Sequence, residues 1–486
     1  MSTGMGVAKN AFLLMAATTG QKIVSFLAFY LVSDVLGPRQ IGAYAYAISI
    51  TSIFVVAADL GTTQVVIRSI AGNRENARRL LGAAFRLKVL LIPLSIALSI
   101  GYTWMFGASQ VVWMTVLIAC GVMAADSVHL LFYGVLRGRQ HLRVEAMGMF
   151  IGQVLTAVAA VLAAWSGFGP VGLAAALLIG SVWNVVWVAF HVKTMEIGPL
   201  EPGREDREEL MKQALPFALA GLSVKVYSYV DSLCLRFFHG ETSVGLYAVA
   251  YKLTYALQFL PLAFTAALYP ALASSYAIRD EVEVRRTFCA SLRLMAAFGF
   301  PLSAGLSALA PKIIPFMYRQ EYAGSILPLE VLPWVLLPIF LDFPIGALLN
   351  AMHRASLKTV AMVVTMAVNV ILNLWLVPVY GPVGAAWAGV CSFWGLYAIG
   401  AWFTREQAGG IGIFLDLTAR ALVAASVSWF AWHEIAAPMH VVPAGIFGAA
   451  VAVLMAFVTG LMTVQDVAAV IAQVRPTWAK IADLHD

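Results

Sequence analysis

Charge is what this sequence has least of. Only 12% of its 486 residues are Asp, Glu, Lys or Arg while 61% are hydrophobic, where a soluble domain is about a quarter charged. That shortage excludes an ordinary water-soluble domain. Cysteine is scarce too: Cys120, Cys234, Cys289 and Cys391 stand apart without C-x-x-C spacing, so neither a disulfide framework nor a cysteine metal site is expected. No G-x-x-x-x-G-K-[ST] loop occurs, which removes ATP hydrolysis by this chain. The nearest approach to H-E-x-x-H begins at His433 and Glu434 but has Ala437 in its fifth place. No zinc or other metal site is expected there, and no cofactor. The alternating segments of about ten residues that mark a membrane β-barrel are missing as well.

What remains is a series of long apolar runs, each of about 20 residues or more and so able to cross about 30 Å of hydrocarbon as a helix. They fall at 10-32, 42-66, 86-106, 109-134, 145-165, 170-192, 213-238, 245-270, 291-317, 325-350, 359-378, 383-403, 417-435 and 443-464. The fold class expected is therefore an all-α polytopic membrane protein of about 14 transmembrane helices. The first run carries Lys22 and has no small-residue cleavage site behind it, so it is expected to be a retained helix rather than a signal peptide. Four prolines, Pro328, Pro333, Pro338 and Pro344, crowd the tenth run, which should bend or unwind there.

Orientation follows from the loop cations. With the N-terminus in the cytoplasm, 24 of the 31 lysines and arginines lie on the cytoplasmic side and only Arg39, Lys312 and Arg319 on the other. Both termini are expected to be cytoplasmic. The net charge of +6 is accounted for by this distribution and anionic headgroups, and does not argue for nucleic acid.

The chain is built twice. GPRQIGAYAYA at 37-47 and GETSVGLYAVA at 240-250 share Gly37 with Gly240, Gly42 with Gly245, Tyr44 with Tyr247, Ala45 with Ala248 and Ala47 with Ala250. The same offset of 203 sets Lys22 on Lys225, and GPVG recurs at 169-172 and 381-384. Both motifs fall between equivalent runs, so two pseudo-symmetric six-helix lobes of like orientation are expected: residues 1-200 and 213-410, joined by a cytoplasmic linker, EPGREDREELMK, at 201-212. Residues 411-486 add two C-terminal helices and a cytoplasmic tail. Two such lobes around a central cavity make a transporter, moved by an ion gradient or the membrane potential.

The stretch from 35 to 72 resembles the opening of polysaccharide (O-antigen or exopolysaccharide) repeat-unit flippases of the multidrug, oligosaccharidyl-lipid and polysaccharide exporter superfamily. Its elements are Leu36 to Pro38, Gly42 to Ala45, Asp59 to Gly61, and Arg68 past the helix end. The resemblance implies alternating-access translocation of undecaprenyl-diphosphate-linked oligosaccharide across a bacterial inner membrane. It also implies membrane lipids and, as partners, a polysaccharide polymerase and chain-length regulator.

Such a substrate needs a hydrated cationic cavity for its headgroup and an opening to lipid for its tail. Lys22 lies about 18 Å into the first run, by a rise of about 1.5 Å per residue. Lys225 and Arg236 share a stripe with Tyr229 and Ser232, and Lys252 follows on the next run. These cations could hold diphosphate, with Arg68 at a helix end as a further contact. Equally, they could pair with buried carboxylates: Lys22 with Asp59, Lys225 or Arg236 with Asp231, Lys252 with Asp342. Asp59, Asp126, Asp231 and Asp342 are candidates for coupling to H⁺ or Na⁺, and Asp126, His129 and Tyr133 share a face that could relay protons. Tyr44, Tyr46 and Trp183 could stack on sugars or simply pack.

Three alternatives stand beside a polysaccharide flippase. A drug or cation antiporter of the superfamily would normally stop at twelve helices and place carboxylates in its cavity. A lipid II flippase shares the helix count and a cationic cavity. A membrane glycosyltransferase or ligase would usually carry a sizeable outer loop, and every outer loop here is short. The chain is accordingly not expected to be an enzyme.

Overall fold

The computed structural model describes residues 2–70, 74–139, 141–194 and 203–463. The tail cations Arg475 and Lys480 and the first two linker residues, 201 and 202, lie outside the described residues, as do the side chains of Lys9 and Arg204. Among the described residues there is no strand. The helices are α1 Ser2–Asp59, α2 Thr62–Ile70, α3 Arg74–Met105, α4 Gln110–Gly138, α5 Leu142–Trp165, α6 Gly169–Thr194, α7 Arg204–His239 and α8 Glu241–Tyr255. They continue with α9 Phe259–Ala277, α10 Glu281–Ala308, α11 Ala310–Met317, α12 Ile326–Val331, α13 Leu336–Ala351, α14 Ala355–Ala408, α15 Ile411–Phe430 and α16 Val441–Val458.

Eleven stretches are long and apolar enough to cross a bilayer. Two of them, the 43-residue Ala17–Asp59 and the 54-residue α14, are each two crossings joined at a glycine with a left-handed backbone. Gly37 has φ 72° and Gly381 has φ 55°. With α7, 36 residues long, the described helices supply the fourteen crossings expected of a multi-pass membrane protein. Each of these glycines precedes a proline, Pro38 or Pro382, whose fixed φ and missing N–H suit the first turn of the returning helix. The repeat partners behave alike: Gly240 has φ 83° and Gly169 φ 55°. The repeated motifs are therefore turn signals, placed where only glycine reverses the chain without strain.

The proline-rich tenth run is interrupted as expected. A 3₁₀ turn at Leu332–Val335 separates α12 from α13, and a second at Gln320–Ser325 precedes α12. A further 3₁₀ turn, Ala256–Gln258, divides α8 from α9 just before Pro261.

The helices cluster into two compact units. One comprises residues 1–256, 317–328 and 362–392; the other comprises 257–316, 329–361 and 393–486. In the first, α4, α5 and α6 pack through small residues, and several hydroxyls in the apolar helices are satisfied locally. Ser95, Ser99 and Thr103 of α3 each donate to the carbonyl four residues earlier, which removes the cost of an unmet donor in lipid. The second unit has a larger apolar core, with Phe288, Phe300, Leu337 and Leu348 fully buried. In that unit Lys312 donates to the carbonyls of Ala436 and Met439, closing the open end that follows α15.

Candidate functional site

The site grows from the opening repeat, inside the first unit. There α1 and α8 cross backbone to backbone at Gly42 and Gly245, neither of which has room for a Cβ. Beside this crossing lies a cavity of about 260 Å³. Its walls are made of repeat-related pairs: Ser25 with Ser228, Phe29 with Ser232, Tyr44 with Tyr247, Ala45 with Ala248, Ile48 with Tyr251. The cavity therefore straddles a local pseudo-two-fold. Lys252 breaks the symmetry, since its counterpart by the offset of 203 is Ser49. Its Nζ donates to Ser25 Oγ at 2.9 Å and stands 5.5 Å from the Phe29 ring centroid. No carboxylate pairs with it among the described residues.

A second cavity of about 580 Å³ shares Ile48 and Leu177 with the first. Lys225, Lys88, Arg137, Asp59 and Asp126 line it. Lys225 has no ion pair among the described residues and sits 5.5 Å above the Tyr229 ring. Lys88 is 2% exposed and donates to Asp59 Oδ1 at 2.6 Å and to Ser127 Oγ at 3.0 Å. Asp59 is positioned by the chain break after it. Leu60 and Gly61 both adopt positive φ, 43° and 74°, which ends α1 and lets Thr63 Oγ1 donate back to Asp59 Oδ1. Gly61 also packs where a Cβ would strike the α7 backbone at Ala214 and Ala218.

On α4, Asp126 Oδ1 accepts from Ser181 at 2.6 Å and lies 3.6 Å from His129 Nδ1. The His129 ring meets the Tyr133 ring edge-on at 5.4 Å, and Tyr133 donates to Asn184 Oδ1 at 2.7 Å. The three side chains share one face of α4, but His129 Nδ1 is buried without a hydrogen-bond partner and its link to Tyr133 is a ring contact. Arg137 is held by Glu145, a fully buried carboxylate.

Asp231 is 3% exposed. It accepts from Tyr247 Oη at 2.6 Å and from Asn373 Nδ2 at 2.7 Å. Asn373 also donates to the Asn369 carbonyl, and Asn369 to Ser392 Oγ. No cation faces this carboxylate among the described residues, and Asn373 Oδ1 is buried without a donor.

The carboxylate pairings that stood as the alternative for these cations are not the ones the structure forms. Asp59 faces α3 and takes Lys88, not Lys22. Asp231 takes two neutral donors, not Lys225 or Arg236. Asp342, in the second unit, pairs with Lys358 across the turn from α13 to α14, not with Lys252. Lys22 lies on an exposed face and lines neither cavity. Arg236 sits one turn from the end of α7, 3.8 Å from Glu241 and 5.5 Å over the Tyr46 ring, outside both cavities. Arg68 is exposed in the last turn of α2. Tyr44 lines the smaller cavity, Tyr46 is buried under Arg236, and Trp183 stacks on Trp187.

Lys88, Asn369 and Asn373 were not legible as site residues. Lys88 reads as one more cation in a basic loop. The two asparagines, four apart in an apolar run, carried a signal: polar side chains at i and i+4 within a membrane helix mark a buried contact.

Fourteen crossings, a sequence repeat and neighbouring cavities that hold Lys252 and Lys225, unpaired among the described residues, fit a polytopic membrane transporter. Residues 7–276 match the family model described as polysaccharide biosynthesis protein, and 216–375 match the one described as MatE. The chain belongs to the polysaccharide biosynthesis protein family and is a flippase-type member of the multidrug, oligosaccharidyl-lipid and polysaccharide exporter superfamily. Among curated proteins it is similar to the "Probable low-salt glycan biosynthesis flippase Agl15" of Haloferax volcanii, 21% identical over 80% of this chain and 81% of that protein. Among solved structures, an inward closed conformation of the lipid II flippase MurJ has a TM-score of 0.73 at 15% identity, over 91% of this chain and 98% of that one. An inward-facing multidrug resistance MATE family transporter has 0.67 at 17%, over 82% and 98%. At such identities these two likenesses concern the fold.

Proposed function

We propose that this protein translocates undecaprenyl-diphosphate-linked oligosaccharide across a bacterial inner membrane by alternating access of the lobes 1-200 and 213-410, with no covalent step. The observation that carries the reading is the pair of neighbouring cavities, each holding a lysine, Lys252 or Lys225, without a carboxylate partner among the described residues. An ammonium group inside a membrane helix bundle costs at least about 2.5 kcal/mol on insertion scales. A diphosphate offsets that cost for as long as it is bound, whereas a fixed ion pair would cancel the charge and leave nothing for substrate. Tyr44, Tyr229 and Tyr251 offer ring faces and hydroxyls beside the lysines for sugar.

The tail is assigned to the second unit. There an apolar cavity of about 460 Å³ runs along α16, lined by Phe298, Leu302, Leu306, Trp432 and Val453. Asp231 is the coupling residue for H⁺ or Na⁺: it is buried, it lacks a counter-cation among the described residues, and a spare acceptor, Asn373 Oδ1, lies in the same cluster. Both termini are cytoplasmic on the loop-cation rule, and a polysaccharide polymerase and chain-length regulator are the partners that would consume the product. The testing experiment reconstitutes the protein in vesicles, supplies undecaprenyl-diphosphate oligosaccharide in one leaflet, and measures its appearance in the other with and without a cation gradient. Gradient-stimulated appearance supports the reading; none from folded protein contradicts it.

A further inference from the structure

A cavity of about 1010 Å³ belongs to the second unit and to neither substrate nor tail path. Three chain segments meet there: the turn between α9 and α10, the turn between α13 and α14, and the end of α14. They contribute Arg279, Arg285, His353 and Arg354, against Glu281 and Glu406. Glu406 is in part matched by Arg405, 3.9 Å away, so the cavity keeps a surplus of guanidinium groups.

Two backbone features set this cavity apart. Arg279 follows the end of α9 and His353 follows the end of α13, and each has φ 57°. That position of a helix end is usually glycine, because a side chain there is strained. Of the three non-glycine residues with positive φ among those described, two therefore face one cavity, and both are basic. Strain retained for a side chain points to a use for that side chain. Gln407, also in the wall, has a buried Oε1 without a donor. Around the arginines stand Ile278 and Val282, 76% and 80% exposed, apolar side chains suited to acyl chains and not to water.

We propose that this cavity binds the phosphate of an anionic phospholipid, with Arg279, Arg285 and Arg354 on the phosphate and Ile278 and Val282 against the acyl chains. Basic pockets between membrane helices take such headgroups, with roughly a fivefold change in affinity for each basic residue removed. Free inorganic phosphate offers the same chemistry to the arginines but nothing to the flanking apolar pair. The inference does not depend on which substrate is flipped.

The test is native mass spectrometry of the detergent-purified full chain with dioleoylphosphatidylglycerol or dioleoylphosphatidylcholine, alone and with millimolar inorganic phosphate. Phosphatidylglycerol should bind severalfold more tightly than phosphatidylcholine and resist phosphate. Arg354→Gln should lower that binding about fivefold. Arg279→Gly separates the site from the fold: it and His353→Gly each remove strain, so thermal stability should hold or rise in both, while phosphatidylglycerol binding falls in Arg279→Gly. Unchanged binding in Arg279→Gly and Arg354→Gln overturns the site. A loss of stability in the glycine variants overturns the claim that the side chains are kept for a ligand. Displacement of the lipid by inorganic phosphate overturns its assignment to phospholipid.

Discussion

A Cβ on Gly42 would overlap the carbonyl oxygen of Glu241, and one on Gly245 would overlap that of Pro38. Each obstructing carbonyl lies four residues before the partner glycine, so the contact maps onto itself when the two repeats are exchanged. Close approach of small residues is the usual basis of helix association in membranes, and here it sits on the local pseudo-two-fold beside the smaller cavity.

Either Gly42→Ala or Gly245→Ala should therefore cost about 1–3 kcal/mol through overpacking against backbone that cannot retreat. Fluorescence-detected thermal unfolding should report a drop of several degrees. Gly101→Ala, whose Cβ would meet nothing within 4 Å, should hold or raise the midpoint, since alanine is the better helix former. Equal effects at all three positions would contradict the crossing.

The opening repeat was thus legible in the sequence as spaced glycines and tyrosines, and so was the helix count, because apolar length alone sets a crossing. Partners were less so. Asp59 and Lys88 are 29 residues apart, and only the break at Leu60 and Gly61 turns the carboxylate toward α3. Asp342 and Lys358, 16 apart, meet across a turn that the sequence does not aim. Charge pairing depends on helix rotation, which hydropathy does not report.

Lys88→Met should destabilise the protein by about 3 kcal/mol by leaving Asp59 without its cation. Asp59→Asn in the same chain should restore much of the loss. Because Asp59 is partly exposed, with 33% of its side chain accessible, water will soften the single-variant effect. A double variant no more stable than Lys88→Met would count against a structural pair.

Asp231→Asn should fold at a cost of about 1 kcal/mol, since one hydrogen bond must be rearranged with Asn373. Its transport should lose dependence on the cation gradient. Folded Asp231→Asn protein that still responds to the gradient as the natural chain does would remove Asp231 from coupling.

Orientation can be read with single cysteines in a cysteine-free background. Those placed near Arg139 and Arg285 should resist an impermeant thiol reagent in intact cells, and one near Gly240 should react. The reverse pattern would invert the topology drawn from the loop cations.

The most direct test of the account measures outer-leaflet delivery of lipid-linked oligosaccharide together with protein abundance for Lys225→Gln and Lys252→Gln. Neither change opens a cavity or strands a carboxylate, because neither lysine has an ion-pair partner among the described residues, so both proteins should accumulate normally. Delivery should fall at least about tenfold in each, the consequence of losing one charge-assisted contact of about 1.5–3 kcal/mol to diphosphate, and Arg at either position should restore part of it. Normal delivery from well-accumulated Lys225→Gln and Lys252→Gln would contradict the account.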